Sequence, residues 1–102
     1  MKERVIERYL CEQTAKAGGI AFKWSSPGTA GVADRLLFFP TGLVVVVECK
    51  APGKAPTTLQ RRHLKSLRSL GFIAEYVDSY ETVDALLHEV QRQLHQRRGH
   101  HS

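Results

Sequence analysis

An unbroken run of aliphatic residues, Leu43 to Val47, ends directly on Glu48, Cys49 and Lys50. Because the run has no polar alternation, it predicts a central β-strand that is covered on both faces of its sheet. A buried carboxylate or ammonium is energetically expensive unless it is paired or binds a metal. This stretch therefore predicts a layered sheet and a site at the carboxyl end of its central strand.

Apolar spacing and turn residues predict an α/β chain in the order helix, three strands, helix, strand, helix. The predicted elements are a first helix over 3–17, strands over 20–24, 35–39, 43–48 and 72–77, a second helix capped by Thr57 and stopped by Gly71, and a last helix after Ser79. The short turn at 40–42 makes the second and third strands antiparallel, and the crossover through the second helix makes the fourth parallel to the third. We expect a mixed central sheet flanked by helices.

The two later helices show apolar positions at helical spacing. In the second helix, the residues along one face are Leu59, His63, Leu67 and Leu70. In the last helix, the residues predicted to face inward are Val83, Leu86, Leu87, Val90 and Leu94. Both helices are therefore predicted to pack on the sheet.

Composition sets the size of the domain and the chemistry of its partner. The chain has 102 residues, of which 42% are hydrophobic, and this suits one domain over 1–95 with a polar, flexible tail over 96–102. Its 15 Lys and Arg residues against 10 Asp and Glu residues leave a net charge of +5, which favours a polyanion such as nucleic acid. No apolar run is long enough to span a membrane, and no signal peptide is recognisable. Cys11 and Cys49 have neither zinc-site nor disulfide-framework spacing, so we expect a cytoplasmic protein.

The predicted hairpin brings two acidic residues together. If the turn is centred on Thr41, antiparallel pairing carried outward places Asp34 opposite Glu48. Directly opposed residues have Cβ atoms roughly 5 Å apart, so the two carboxylates would repel each other unless a cation such as Mg²⁺ lay between them. Alternatively, both are ordinary rim charges with Lys50 as their salt-bridge partner, and a β-bulge would shift the register.

Lys50 lies on the same face as Glu48, because side chains alternate along a strand. There, an ammonium can orient an attacking water or stabilise the negative charge that develops during phosphoryl transfer. The backbone carbonyl of Cys49 is a candidate metal ligand, whereas its thiol points to the opposite face and is predicted to be buried. The end of the strand therefore predicts metal-assisted phosphoester chemistry.

Three stretches carry a family resemblance: SPGTAGVADRLLFF, VVECKAPGK and TTLQRRHLKSLRSLGF. Over nearly the whole chain they resemble the stand-alone virus-type replication-repair nuclease (VRR-NUC) domain of the PD-(D/E)xK nuclease superfamily. The resemblance implies a restriction-endonuclease-like αβββαβ(α) core. It makes Asp34 the motif aspartate, Glu48 and Lys50 the E-x-K pair, and Gln60 the glutamine of the following helix. Ala33 departs from the pattern, because the family usually has proline there; that proline is not a ligand, so its loss should affect rigidity more than chemistry.

The resemblance also implies an acidic residue from the first helix. Glu3 and Glu7 are both candidates, one turn apart on one face. The alternative for each is a solvated helix charge. Gln60 likewise has two alternative roles, since it also completes a capping box with Thr57, and we expect that it cannot serve both the cap and the site.

Basic and polar residues near these motifs are candidates for contact with DNA. The candidates are Lys23, Ser26, Arg35, Lys54, Arg61, Arg62 and Lys65. The exposed positions on the second helix could equally form a solvated face. Trp24 is predicted to lie in the core or an interface and not to stack on a base.

The resemblance implies a Mg²⁺- or Mn²⁺-dependent DNA endonuclease that prefers branched DNA, with the Holliday junction as the first substrate to test. In this hypothesis Asp34, Glu48, Glu7 or Glu3, and the Cys49 carbonyl hold the metal, while Lys50 serves the attacking water. The alternatives are a non-catalytic branched-DNA-binding module on a nuclease fold and, less favoured, a protein-interaction domain.

Paired cuts across a junction are supplied most simply by two sites related by a two-fold axis, so a homodimer is expected. Phe22, Trp24 and the last helix are the candidate interface. The expected location is the cytoplasm of a bacterium, as a bacterial or phage-encoded protein.

Overall fold

The computed structural model describes residues 1–25 and 33–99. Along the chain it contains α1 (Glu3–Lys16), β1 (Ile20–Lys23), β2 (Arg35–Phe38), a 3-10 turn (Pro40–Gly42), β3 (Val44–Cys49), α2 (Thr58–Ser69), β4 (Ile73–Val77) and α3 (Tyr80–Gly99). The strands form a mixed sheet in the order β1-β2-β3-β4, antiparallel except that β4 runs parallel to β3. The predicted element order and topology are confirmed.

The β2–β3 hairpin has the predicted register, and its last pair is Arg35 with Val47. The chain reverses through Thr41, whose φ of 66° lies in the left-handed region. A non-glycine residue adopts this conformation only when the surrounding turn requires it. Because no residue is inserted between the turn and the last pair, Asp34 and Glu48 follow as neighbouring backbone positions on adjacent strands.

Helices α1 and α3 cover one face of the sheet, which we call the α1/α3 face, with a large hydrophobic core. Its fully buried side chains include Ile6, Leu10, Leu37, Val45, Val47, Cys49, Val77, Val83, Val90 and Leu94. All five residues predicted to face inward from α3 are buried. The Cys49 thiol lies in this core, on the opposite face from Glu48 as predicted, and its burial raises its pKa.

Helix α2 covers part of the opposite face, which we call the α2 face, with a smaller core formed by Ala33, Val46, Leu64 and Ala74. The predicted inner face of α2 is wrong at both ends, because Leu59 and Leu70 are exposed. The sequence contains two overlapping stripes at helical spacing. The observed stripe runs through Gln60, Leu64 and Leu67, because Gln60 is hydrogen-bonded to Glu48 at the end of the sheet and so sets the rotation of the helix.

The half of the α2 face that belongs to β1 and β2 carries exposed apolar residues. Ile20, Phe22 and Phe38 lie there, with 59%, 54% and 41% of their surfaces exposed. The Phe22 and Phe38 rings contact each other edge to face, with centroids 5.7 Å apart. We call these three residues the apolar patch. An exposed cluster of this kind is typical of a surface that binds a partner.

Helix α3 continues to Gly99, so the tail boundary predicted at residue 95 falls within the helix. Arg97 donates a hydrogen bond to the Thr41 carbonyl at 3.1 Å, which ties this end of the helix to the hairpin turn. The apolar periodicity stops at Leu94, and a polar helical end leaves no apolar signal beyond it. Among the described residues, no helix combines the length and apolar character that crossing a bilayer requires.

Candidate active site

Glu48 is a buried polar residue at the end of β3, only 5% exposed. Its Oε1 accepts a hydrogen bond from Gln60 Nε2 at 2.9 Å and lies 3.4 Å from Lys50 Nζ. Burial raises the pKa of Glu48, and the Lys50 ammonium partly offsets this effect. The second oxygen, Oε2, is buried and has no hydrogen-bond partner among the described residues. We call Glu48, Lys50 and Gln60 the Glu48 network; its unsatisfied oxygen is costly unless it has a further ligand.

Gln60 serves the helix cap and the site at the same time. Its Oε1 accepts from the Thr57 N–H at 2.9 Å, and Thr57 Oγ1 accepts from the Gln60 N–H at 3.1 Å, which completes the capping box. Its Nε2 donates to Glu48. The expectation that one role excludes the other is therefore wrong, because a glutamine amide has an acceptor end and a donor end.

Three carboxylates from distant parts of the sequence meet at the same end of the sheet. Glu3 and Glu7 lie on successive turns of α1, Asp34 precedes β2, and one oxygen of each lies within 4.8 Å of the others. The Cys49 N–H donates to Asp34 Oδ1 at 3.2 Å, which connects the group to the strand that carries Glu48. We call Glu3, Glu7 and Asp34 the acidic cluster. It contains both candidates for the first-helix acid.

The pKa of Asp34 is raised from its ordinary value of 3.8 to about 7. Burial is the largest cause, followed by the charge of Glu48 and then by Glu7 and Glu3, while the hydrogen bond from Cys49 acts in the opposite direction. Carboxylates that repel one another in a partly buried place are costly to ionise, and a cation between them removes that cost. A carboxyl perturbed in this way is typical of a functional site.

Arg35 is turned toward the acidic cluster. Its Nη2 lies 3.5 Å from Glu7 Oε2, its side chain is largely buried, and its Nε has no hydrogen-bond partner among the described residues. Strand alternation gives Arg35 the same face as Val47, which is the face that α1 covers. This placement pairs Arg35 with Glu7, and its contact with DNA stays a prediction.

The donor set of the site fits a divalent cation. Hard cations such as Mg²⁺ prefer oxygen ligands, and the acidic cluster offers three carboxylates, with the unsatisfied Glu48 oxygen as a further donor. The predicted ligand set of Asp34, Glu7, Glu48 and the Cys49 carbonyl shares Asp34 and Glu7 with the cluster. The group of carboxylate oxygens that lie within 4.8 Å of one another does not include Glu48, but it does include Glu3. The individual ligand roles stay predictions.

Most of the predicted DNA-contact residues lie on the surface. Exposed positions are Lys23, Lys54, Arg61, Arg62 and Lys65, whereas Ser26 lies outside the described residues. Trp24 packs against the small core beneath α2, in agreement with its predicted place. The roles of these residues in DNA contact stay predictions.

Tyr76 is a site neighbour that the sequence analysis missed. It is the partner of Glu48 in the β3–β4 ladder and is partly exposed. The register of two parallel strands is not set by a tight turn, so their pairing could not be counted from the sequence as it was for the hairpin. A partly exposed tyrosine next to the central carboxylate therefore becomes visible only in the folded chain.

Two known proteins are similar to this chain. It is 44% identical over 81 residues to a protein named "Putative nuclease p44" from Acyrthosiphon pisum secondary endosymbiont phage 1, across 79% of this chain and 87% of that protein. A solved structure described as "VRR_NUC domain" superposes with a TM-score of 0.79 at 30% sequence identity, covering 86% of this chain and 96% of the other. A scan against protein-family models finds no match.

The mixed sheet with helices on both faces and the similarity to these proteins define a nuclease domain of the restriction-endonuclease-like fold. Within that class, the chain belongs to the VRR-NUC family. The family resemblance drawn from the three sequence stretches is confirmed.

Proposed function

We propose that the protein is a Mg²⁺- or Mn²⁺-dependent, structure-selective DNA endonuclease that hydrolyses phosphodiester bonds, with the Holliday junction as its expected substrate. The observation that carries the proposal is the Glu48 network, in which a buried carboxylate keeps one oxygen unsatisfied beside the acidic cluster. Similarity to nucleases supports hydrolysis, and a net charge of +5 suits a polyanionic substrate.

The carboxylates of the site are proposed to hold the metal. Asp34 and Glu48 are the principal donors, and Glu7, Glu3 and the Cys49 carbonyl are further candidates. When bound, a divalent cation supplies Lewis acidity to the scissile phosphate and offsets the charge of the transition state. Gln60 orients the Glu48 carboxylate through its 2.9 Å hydrogen bond, as neighbours of metal ligands commonly do.

Lys50 is the member of the Glu48 network that we propose acts on the attacking water. Its Nζ lies 3.4 Å from Glu48 Oε1, and the ammonium has three N–H donors in all. The remaining donors can hold a water by hydrogen bonding or stabilise negative charge on the phosphoryl oxygens. Because the side chain is largely buried, these interactions are weakened less by bulk water.

The experiment that tests this function uses a labelled four-way junction and a linear duplex of the same sequence. We expect cleavage of the junction in Mg²⁺ or Mn²⁺, no cleavage in EDTA, and much slower cleavage of the duplex. If the junction is bound but not cut with any divalent metal, the alternative of a non-catalytic branched-DNA-binding module replaces the endonuclease. Equal cleavage of both substrates would leave a nuclease without structure selectivity.

We propose that two copies of the chain pair through the apolar patch, so that two active sites can make symmetric cuts. Phe22, which the sequence predicts to lie in the interface, is part of this patch. The apolar residues of α3 and the ring of Trp24 are already packed in the two cores, whereas the patch is an exposed apolar surface on the β1–β2 half of the α2 face. A second copy can cover it because a two-fold axis brings the same surface from each chain together.

The test of the dimer is light scattering at micromolar concentration. We expect wild type to be a dimer and Phe22→Ser to be a monomer that nicks one strand of a junction. Leu70→Ser is the matched control, because this residue is 74% exposed and lies outside the patch. Wild type that scatters as a monomer would contradict the proposed assembly and leave the nuclease chemistry untouched.

We also propose that the protein acts in the cytoplasm of a bacterial cell. The phage origin of the similar nuclease and the free thiols of Cys11 and Cys49 support this location. Fractionation of cells that express the tagged protein tests it, and recovery in the periplasmic fraction would contradict it.

A further inference from the structure

A groove of about 350 Å³ lies between α2 and the edge strand β4 on the α2 face. Its lining consists of Pro56, Arg61, Leu64, Lys65, Arg68 and Tyr76. This volume is at the small end of the range for ligand pockets, so it suits a group of the size of one nucleotide.

The groove lies next to the candidate active site. Tyr76 pairs with Glu48 in the β3–β4 ladder, and neighbouring strands are about 4.8 Å apart. Paired residues of a sheet share a face, so the Tyr76 side chain lies on the same side as the Glu48 carboxylate. A DNA strand that passes Glu48 would therefore have Tyr76 within reach on the neighbouring strand.

The charges of the lining are arranged along one stripe of α2. Arg61, Lys65 and Arg68 are four and three residues apart, which places them on one side of the helix. Arg68 is already paired with the sheet edge, because it donates a hydrogen bond to the Ala74 carbonyl at 2.6 Å and forms an ion pair with Glu75 at 3.0 Å. Among the described residues, Arg61 and Lys65 form no ion pair, so their charges are available to a ligand.

A second groove on the other side of β4 offers no unpaired positive charge. It has a volume of about 310 Å³, and its charged lining residues are Glu75 and Glu89, which are ion-paired with Arg68 and Arg92. Of these two grooves, the one on the α2 side of β4 is therefore the better site for a polyanion. Tyr76 lines both grooves, so its ring stands at the boundary between them.

We propose that the groove between α2 and β4 binds one unpaired nucleotide of the DNA strand, with its base stacked on Tyr76 and its flanking phosphates held by Arg61 and Lys65. The base must be unpaired because both faces of a base inside a duplex are already covered by its neighbours. This inference rests on the proposed DNA nuclease function. It adds the expectation that one nucleotide beside the cut leaves its base pair when a junction binds, and a preference for branches in which that nucleotide is already unpaired.

The first test measures the affinity of a short fluorescein-labelled oligothymidylate, and of a duplex of equal length, by anisotropy in EDTA. Tyr76→Leu should weaken binding of the oligothymidylate by about 5-fold to about 100-fold, the range for loss of one stacked base, and leave duplex binding unchanged. Tyr76→Phe keeps the ring and should retain wild-type affinity. Unchanged oligothymidylate binding by Tyr76→Leu, or an equal loss on the duplex, would overturn the subsite.

Phe72→Leu is the matched control for this test. Phe72 precedes β4 on the same face as Tyr76 and is 42% exposed, compared with 41% for Tyr76, but it does not line the groove. It should bind the oligothymidylate as wild type does. Because both rings are substantially exposed, all of these variants are expected to fold, which a thermal melt verifies; a Tyr76→Leu variant that melts early is replaced in the comparison by Tyr76→Phe and Tyr76→Met.

The second test separates the phosphate contacts from the stacking contact. The slope of log affinity against log salt for the oligothymidylate should fall by about 0.7 for each of Arg61→Ala and Lys65→Ala. Lys16→Ala should leave the slope unchanged, because Lys16 is an exposed cation at the end of α1 and lies outside the groove lining. Tyr76→Leu should lower affinity without changing the slope. An equal effect of Lys16→Ala would show a diffuse basic surface and overturn the assignment.

The outcomes keep this inference distinct from the proposed function. If wild type cuts branched DNA and Tyr76→Leu behaves as wild type on every substrate, the subsite is wrong and the nuclease stands. If wild type binds the oligothymidylate through Tyr76 but cuts no DNA with any metal, the subsite stands and the proposed catalysis is wrong.

Discussion

The α1/α3 face of the sheet carries a continuous core that reaches from Ile6 in α1 to Leu94 in α3, whereas the described core of the α2 face is small. Along the α2 face, the row that contains Val46 and Ala74 is followed by the row that contains Glu48 and Tyr76. Two residues further along each strand, polar and charged side chains thus replace the apolar ones. Most of the burial thus lies on one face, whereas the Glu48 network lies on the less covered α2 face, at the end of the sheet that Glu3 and Glu7 of α1 also reach.

The division has an energetic reason. An unsatisfied Glu48 oxygen and an Asp34 carboxyl with a raised pKa both oppose folding of the metal-free protein. Functional sites commonly store such strain, and the rest of the fold must offset it. The large core of the α1/α3 face is the part of the molecule that can do so.

The largest expected effect is on cleavage, because substitutions at the site should lower activity strongly without lowering the stability of the fold. Asp34→Asn should lower cleavage of a four-way junction at least about a hundredfold, because metal-assisted charge stabilisation of several kcal/mol is lost. Glu48→Gln and Lys50→Ala should do the same. The melting temperature of Asp34→Asn without metal should be unchanged or higher, because a repelling carboxyl has been removed. Glu12→Gln removes an exposed carboxylate on α1 and serves as control. An Asp34→Asn variant that cuts like wild type in Mg²⁺ would contradict the placement of the active site at this end of the sheet.

The next effect concerns stability on the two faces. Leu37→Ala, in the large core, should lower the free energy of unfolding by about 3–5 kcal/mol, and Leu64→Ala, in the small core, by nearer to 2 kcal/mol. Leu70→Ala, on the exposed side of α2, should stay within about 0.5 kcal/mol of wild type. Chemical denaturation measures all three. A larger loss for Leu64→Ala than for Leu37→Ala would reverse the assigned division.

A third effect is a pH dependence that belongs to the acidic cluster. Because the pKa of Asp34 is raised to about 7, protons compete with a metal below that pH. The apparent affinity for Mn²⁺ should therefore rise about tenfold per pH unit below about 7 and level off above it, as for one released proton. Titration calorimetry over this range measures the slope, and pH-independent binding would remove Asp34 from the ligand set.

The same shift predicts the stability of the metal-free protein. The folded state holds the Asp34 proton between the ordinary pKa of 3.8 and about 7, whereas the unfolded state releases it. The stabilising contribution of the protonated carboxyl is thus present at low pH and is lost as the pH rises through this window. Asp34→Asn should abolish this part of the pH dependence, which thermal unfolding in EDTA can measure.

The smallest expected effect separates the two roles of Gln60. Thr57→Ala removes the cap and should cost about 1 kcal/mol of stability with little change in cleavage, because the bond from Gln60 to Glu48 can remain. Gln60→Ala should cost a similar stability but also reduce cleavage, by about tenfold or more, as for loss of a group that orients a metal ligand. Equal cleavage by the two variants would show that Gln60 is only a capping residue.

Several elements of the fold could be read from residues close together in the chain. The hairpin register followed from the turn centred on Thr41, and α3 followed from the spacing of Val83 to Leu94. Both depend on chain geometry over a few residues, with a period of two in a strand and of 3.6 in a helix. The inner stripe of α2 was misjudged because two stripes fitted its period, and the bond to Glu48 selected one.

Local patterns in the sequence were sufficient to predict the family, the sheet topology and the candidate residues at the end of β3. Only the folded chain shows that Arg35 pairs with Glu7, that Gln60 contacts both its cap and Glu48, and that Tyr76 lies beside Glu48. The two groups differ in the range over which their geometry is set. A turn or a strand period acts between near neighbours, whereas the approach of α1 to β2, or of β4 to β3, depends on how whole elements pack over the core.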